Sequence, residues 1–276
     1  MYTVQTLSIV FMGISALTGF IIPAVLFIVF WKKYQADIAP FFYGCAVFII
    51  FALVLESYVH RLIFASDAGK AILGNVWFYA LYGGVMAGIF EETGRYAAFK
   101  TVLKSKRSNN ANAFMYGAGH GGFEAAYLLG VTMVSNIAMS LTINSGSADK
   151  LTAGVTDPAA LQRITATITA LVQTPPSTFL FGAAERFFAV ALHVSCSVLV
   201  WFAAKYGGKR FWLYPLAIAM HTFMNAAAVT LSSYTQNLWV LEGVNCLIAA
   251  GCIFIARSIW KKVTAHEVKE NIEVYS

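Results

Sequence analysis

Charge is scarce in this chain. Only 12% of its 276 residues are Asp, Glu, Lys or Arg, about half the share of a typical soluble domain. With 59% hydrophobic residues and a mean hydropathy of +0.68, that deficit excludes an ordinary water-soluble fold. Aspartate is scarcer still. Asp37, Asp67, Asp149 and Asp157 are its only representatives and all fall between apolar runs, which excludes an intramembrane aspartyl dyad. There is no HExxH for a zincin-type helix and no G-x-S-G for a serine protease. Cys45, Cys196, Cys246 and Cys252 lie inside apolar runs without metal-knuckle spacing, so neither a disulfide framework nor a zinc finger is implied. Internal repeats and low-complexity tracts are absent. The formal charge of +6 does not signal a nucleic-acid partner, because the basic residues flank hydrophobic runs as membrane-side anchors do.

Long apolar runs fill the chain. Stretches of the roughly 20 residues needed to cross a bilayer fall near 7–31, 40–64, 72–99, 111–142, 176–205, 211–232 and 237–258. The reading is an all-α, multi-pass cell-membrane protein of about seven spans in contact with membrane lipids. Residues 1–260 form one transmembrane domain and 261–276 a short solvated cytoplasmic tail. Lys32, Lys33, Lys100, Lys104, Lys106, Arg107, Lys205, Lys209, Arg210, Arg257, Lys261 and Lys262 fall on one side, against Arg61, Lys70, Lys150 and Arg163 on the other. That asymmetry predicts an outside N-terminus and a cytoplasmic C-terminus. Between the fourth and fifth spans, residues 158–173 place Leu161, Ile164, Ile168, Leu171 and Val172 on one helical face. Asp157 suits the cap and Pro158 the first turn. The segment is an amphipathic helix, lying on the outer surface or re-entering the membrane.

Ionisable residues within spans are costly and usually face the bundle interior. Here they are numerous: Glu56, Glu91, Glu92, Arg95, His120, Glu124, Glu185, Arg186, His193 and His221, with Asn225 beside them. Helix rise places Glu91, His120, His221 and His193 about 13–18 Å from the basic end of their respective spans. Four spans thus bring polar groups to one layer. Residues four apart share a face, which pairs Glu91 with Arg95, His120 with Glu124, and His221 with Asn225. Arg95 is also three beyond Glu92 and could neutralise either carboxylate. Gly84 and Gly88 permit close approach of another helix, expected to be the fourth span, setting the carboxylates against His120. Such a layer supplies a base, a divalent-metal site and an oxyanion donor, enough to activate water for amide hydrolysis. A structural ion pair and interhelical hydrogen bonds are the plainer account of the same residues. Glu185 and Arg186 fit a mutual pair, and Glu56 with His60 fits packing or gating.

The motifs "EETGR" (91–95), "GAGHGGFEA" (117–125), "ERFFAVALH" (185–193) and "HTFMN" (221–225) occur in this order on successive spans. Together they resemble the YhfC family of intramembrane metalloproteases, related to the CAAX-protease/bacteriocin-processing group and to PrsW, over roughly residues 40–260. The resemblance implies Glu91, with Glu92 beside it, and His120 as the water-activating groups. It implies His221 and Asn225 as the oxyanion or metal-side pair, His193 as a further ligand or proton carrier, and Arg95 as the holder of carboxylate geometry. Glu124, Glu185 and Arg186 would support them. Here Arg95 comes one residue earlier than in the E-E-x-x-x-R spacing of those relatives. His120, His193 and His221 are the expected ligands if a metal, zinc being the natural candidate, is used, and the substrate would be a transmembrane or lipidated peptide. A catalytically silent helix-binding scaffold and a proton-coupled transporter are the alternatives. No paired repeat of the transporter kind is present.

Overall fold

A computed structural model describes residues 3–275, with side chains to residue 268. Among the described residues every regular element is helical. In hydrocarbon each backbone N–H and C=O must find its partner within the segment, and the helix achieves that. The long helices are α1 (Thr6–Lys32), α2 (Ala39–Phe64), a short α3 (Asp67–Leu73), α4 (Val76–Lys100) and α5 (Asn112–Asn144). They are followed by α6 (Pro158–Gln173), α7 (Thr178–Tyr206), α8 (Leu213–Tyr234) and α9 (Leu238–Tyr275). Six are long and apolar enough to cross a membrane, or seven if the bent pair α3–α4 is one span.

Two departures from the expected spans have local causes. The third apolar run does not form one straight helix: α3 and α4 meet at 109°. Asn75 breaks it, its side-chain oxygen accepting from the backbone N–H groups of Trp77 and Phe78 at 2.9 and 3.2 Å and so capping α4. The last helix does not stop near 258. It continues through residues 261–268, burying Val263 and tying Glu267 to Lys205 at 2.7 Å and to Asn110 at 2.8 Å, while Lys261, Lys262, Ala265, His266 and Val268 stay exposed. The side chains beyond 268 lie outside the described residues.

The chain divides into two compact units. The first comprises Met1–Ile22 and Ala125–Arg186. Its core gathers Val4, Met12, Ile143, Ile168, Leu171 and Phe179. The amphipathic helix α6 has the expected bounds, capped by Asp157, which accepts from the Ala159 N–H at 3.0 Å. It buries Ile168 and Leu171 from its apolar face.

The second unit comprises Pro23–Glu124 and Phe187–Ser276. Phe99, Tyr116, Leu199, Trp201 and Phe202 anchor its core, all fully buried. A polar tie closes its basic end. Asp37 accepts from Asn112 at 2.8 Å and from Lys106 at 3.1 Å. The Asn112 amide, with help from Lys106, holds the Asp37 carboxyl below its usual range against a modest opposing effect of burial. Two helix pairs position the polar layer, and both rely on glycine. A Cβ on Gly84 would lie 2.5 Å from the Thr222 carbonyl oxygen, and one on Gly88 2.7 Å from the Thr222 hydroxyl. The Gly84/Gly88 face therefore meets α8, the helix of His221, rather than the fourth span. On α5, a Cβ on Gly121 would lie 2.9 Å from that of His193, so this glycine admits α7.

Gly83 and Gly84 separate packing from propensity, because a Cβ on Gly83 meets nothing within 4 Å. Gly84→Ala should lower the thermal unfolding midpoint in detergent, with an overpacking cost of about 1–3 kcal/mol. Gly83→Ala should leave it unchanged or raise it. Equal effects from the two would show that the α4–α8 contact is not the constraint.

Candidate metal centre

Glu91 and Glu92 are adjacent on α4 and so point about 100° apart around the helix. They meet different neighbours. Glu92 is fully buried and accepts from Nη1 of Arg95 at 2.7 and 2.5 Å. Arg95, also fully buried, therefore holds Glu92 and leaves Glu91 to other partners. The Glu91 Oε2 lies 2.8 Å from Nε2 of His120 on α5, the carboxylate–imidazole contact expected from the sequence. His193 on α7 approaches Glu91 Oε2 with Nδ1 at 3.8 Å, and His221 on α8 approaches Glu91 Oε1 with Nε2 at 3.9 Å. Helices α4, α5, α7 and α8 thus converge on one carboxylate. The ring of His193 lies between those of His120 and His221, with centroids 5.0 and 5.1 Å apart.

The outer contacts set the ring tautomers. His221 places Nδ1 2.9 Å from Glu92 Oε1. A carboxylate only accepts, so in the neutral ring the Nδ1 proton goes to Glu92 and Nε2 keeps its lone pair toward Glu91. His193 Nδ1 lies 3.2 Å from Nη2 of Arg95. A guanidinium only donates, so in the neutral ring Nδ1 accepts from Arg95 and the proton sits on Nε2, which is in ion-pair contact with Glu124 Oε2 at 2.5 Å. A metal ion bound at Nδ1 would have to displace the Arg95 contact. Each of the two imidazoles thus stands between one carboxylate and Glu91, with the lone pair of His221 turned toward Glu91 and that of His193 toward Arg95. This is the carboxylate–histidine arrangement that orients metal ligands.

Charge supports the same fit. Three carboxyl groups, Glu91, Glu92 and Glu124, lie in this site with one guanidinium, which pairs with Glu92, and burial of unpaired charge is expensive. A divalent cation would relieve that cost. Ligand atoms of Glu91, His193 and His221 all lie within 4.8 Å of one another. Tetrahedral zinc with bonds of about 2.0–2.1 Å needs its ligand atoms roughly 3.4 Å apart, so the donor atoms would draw together by up to about 1.4 Å on binding.

This three-donor group differs in one member from the set expected from the sequence. Glu91 takes the place of His120, which donates to Glu91 and keeps a buried Nδ1 without a hydrogen-bond partner. Glu124 pairs with His193 rather than with His120, its neighbour one turn away. Asn225 lies one turn beyond His221 and is half-buried. Glu185 and Arg186 belong to the first unit, where they pair with each other. Tyr116 was not foreseen. It is fully buried one turn before His120, its ring centroid 5.9 Å from the Arg95 guanidinium, with a hydroxyl lacking a hydrogen-bond partner. Its i−4 spacing from His120 was the available signal.

The family model for the YhfC intramembrane metalloprotease matches residues 18–245. The chain belongs to the YhfC family. A relative in Bacillus subtilis (strain 168), described as the uncharacterized membrane protein YhfC, is 32% identical over 249 residues, covering 90% of this chain and 94% of its own. No solved structure matches. Membership agrees with the helical, multi-pass membrane architecture, and the model's description agrees with the buried Glu/His/His group of this YhfC-family chain.

Removing Arg95 would leave Glu92 buried with only His221 as partner. Arg95→Leu should cost about 3–5 kcal/mol, the usual penalty for breaking a buried pair from one side, read as a lowered unfolding midpoint in detergent. The double replacement Arg95→Leu with Glu92→Leu should recover part of that loss. An unchanged midpoint in the single variant would contradict the buried pair.

Proposed function

We propose that this protein is an intramembrane endopeptidase that hydrolyses a peptide bond of a membrane-embedded or lipid-modified substrate. The observation that carries the reading is the buried Glu91/His193/His221 donor group, whose two imidazoles are each backed by a carboxylate. Glu91, His193 and His221 would hold a divalent metal, zinc being suited to such an N/O set. When bound, the metal supplies Lewis acidity and a lowered pKa for a coordinated water.

The remaining work belongs to side chains. Glu124 and Glu92 keep His193 and His221 in the correct tautomer and orientation. Arg95 locks Glu92, so that Glu92 acts by positioning rather than as the base. Glu91 and His120 share one hydrogen bond and form the acid–base pair. His120 still has Nδ1 unspent, so it can accept the proton of the attacking water and return it to the leaving amide nitrogen. Asn225 offers an amide N–H to the oxyanion. The convergence of Glu91, His193 and His221 favours a hydrolase over a silent scaffold, which needs helix-packing faces but no such donor set. The lysine-rich end is assigned to the cytoplasm. Glu91 lies nine residues from Lys100, about 13 Å along α4, placing the chemistry in the inner leaflet.

Mass-spectrometric comparison of protein termini tests this reading, using membranes of cells producing the wild type or Glu91→Gln at matched levels. The expected result is a set of new termini within or beside transmembrane segments, found with wild type and reduced at least about 100-fold in the variant. Identical termini in the two membranes would overturn the reading.

A further inference from the structure

A second polar string lies in the same unit and is not used by the chemistry above. The middle of α2, Phe48–Glu56, is π-helical, a distortion frequent at functional sites. It ends on a buried acid. Glu56 Oε1 lies 3.1 Å from Nε2 of His60, one turn on, and the other ring nitrogen of His60 lies 2.7 Å from the hydroxyl of Tyr82 on α4. Side-chain exposure rises from 10% at Glu56 to 26% at His60, and Tyr82 is half-buried. Inward, Glu56 lies within electrostatic range of Glu91 and His221. Tyr82 precedes Glu91 by nine residues, roughly 13 Å along α4, toward the end opposite Lys100. The titratable groups facing Glu56 are therefore His60 on its own helix, Tyr82 and Glu91 on α4, and His221 on α8. From α5, His120 meets Phe48 of the same π-helical stretch.

We propose that Glu56, His60 and Tyr82 form a proton relay between the buried centre and the bundle surface at the end of α4 remote from Lys100. Two features distinguish this string from a packing cluster. Both ring nitrogens of His60 are engaged, one by an acid and one by a hydroxyl, which is the connectivity that proton transfer through an imidazole requires. The string also runs from a buried acid, within electrostatic range of Glu91 and His221, to a half-buried tyrosine. The transfer balances. The Glu56 carboxyl gives its proton to Nε2 of His60, Nδ1–H passes to the phenolic oxygen, and the phenol releases its own proton to water at the surface. Glu56 is left as the carboxylate and His60 as the other neutral tautomer. Reversal delivers a proton inward. The inference rests on the hydrolytic reading for its purpose, which is to reset the protonation of the site between turnovers.

The relay can be tested without a peptide substrate. Wild-type protein in phosphatidylethanolamine/phosphatidylglycerol vesicles is followed by time-resolved infrared spectroscopy of the carboxyl C=O stretch after a step from acidic to alkaline pH. One band is expected to disappear rapidly, to be absent in Glu56→Gln and to be displaced in Glu56→Asp, which identifies it even if the glutamine variant does not fold. Tyr82→Phe and His60→Gln should keep that band but slow its loss about 100-fold. Loss at the wild-type rate in both variants, or no band that responds to either change at Glu56, overturns the proposal. Calorimetric titration with zinc keeps the two readings apart. Affinity should be unchanged in Tyr82→Phe. A protein that binds no zinc but shows the slowed band defeats the metal reading alone.

Discussion

Three carboxyl groups and a single guanidinium inside a membrane-spanning helical unit constrain everything near them. Glu91, Glu92 and Glu124 cannot leave the interior, because the helices that carry them are fixed by apolar packing on either side. One guanidinium neutralises one carboxylate. The rest must be met by protons or by a cation, and His221, held through Nδ1 by Glu92, turns its Nε2 lone pair toward Glu91. Arg95 is therefore structural in a specific sense. It settles which of two adjacent acids is tied down and which is left facing the three histidines.

Close helix approach makes that arrangement possible. The α4–α8 contact exists because Gly84 and Gly88 leave room for the backbone and hydroxyl of Thr222, one residue from His221. The α5–α7 contact exists because Gly121 admits His193. Each glycine thus acts on the chemistry through distance. A methyl group at these positions would push an imidazole away from Glu91, from which the nearest nitrogens of His193 and His221 already stand 3.8 and 3.9 Å.

Much of this could be read from the sequence, and the misses share one cause. Hydropathy located the spans, and the Asp157–Pro158 cap located α6, because both are local signals. Helix rise foretold that Glu91, His120, His193 and His221 would share a layer, because depth follows from counting residues. Which helix faces which does not follow from counting. The glycine face of α4 therefore meets α8 instead of the expected fourth span, and Glu91 rather than His120 completes the three-donor group with His193 and His221. The break at Asn75 was a local signal that was available, an asparagine cap following a glycine, but the apolar run on both sides obscured it.

Zinc-edge X-ray absorption on the purified, zinc-loaded protein tests the central claim most directly. The account predicts a first shell of light N/O ligands at about 2.0–2.1 Å with the outer-shell signature of two imidazoles, reduced to one in either His193→Gln or His221→Gln and kept at two in His120→Gln. A shell without imidazole, or one that loses an imidazole only when His120 is replaced, would contradict it.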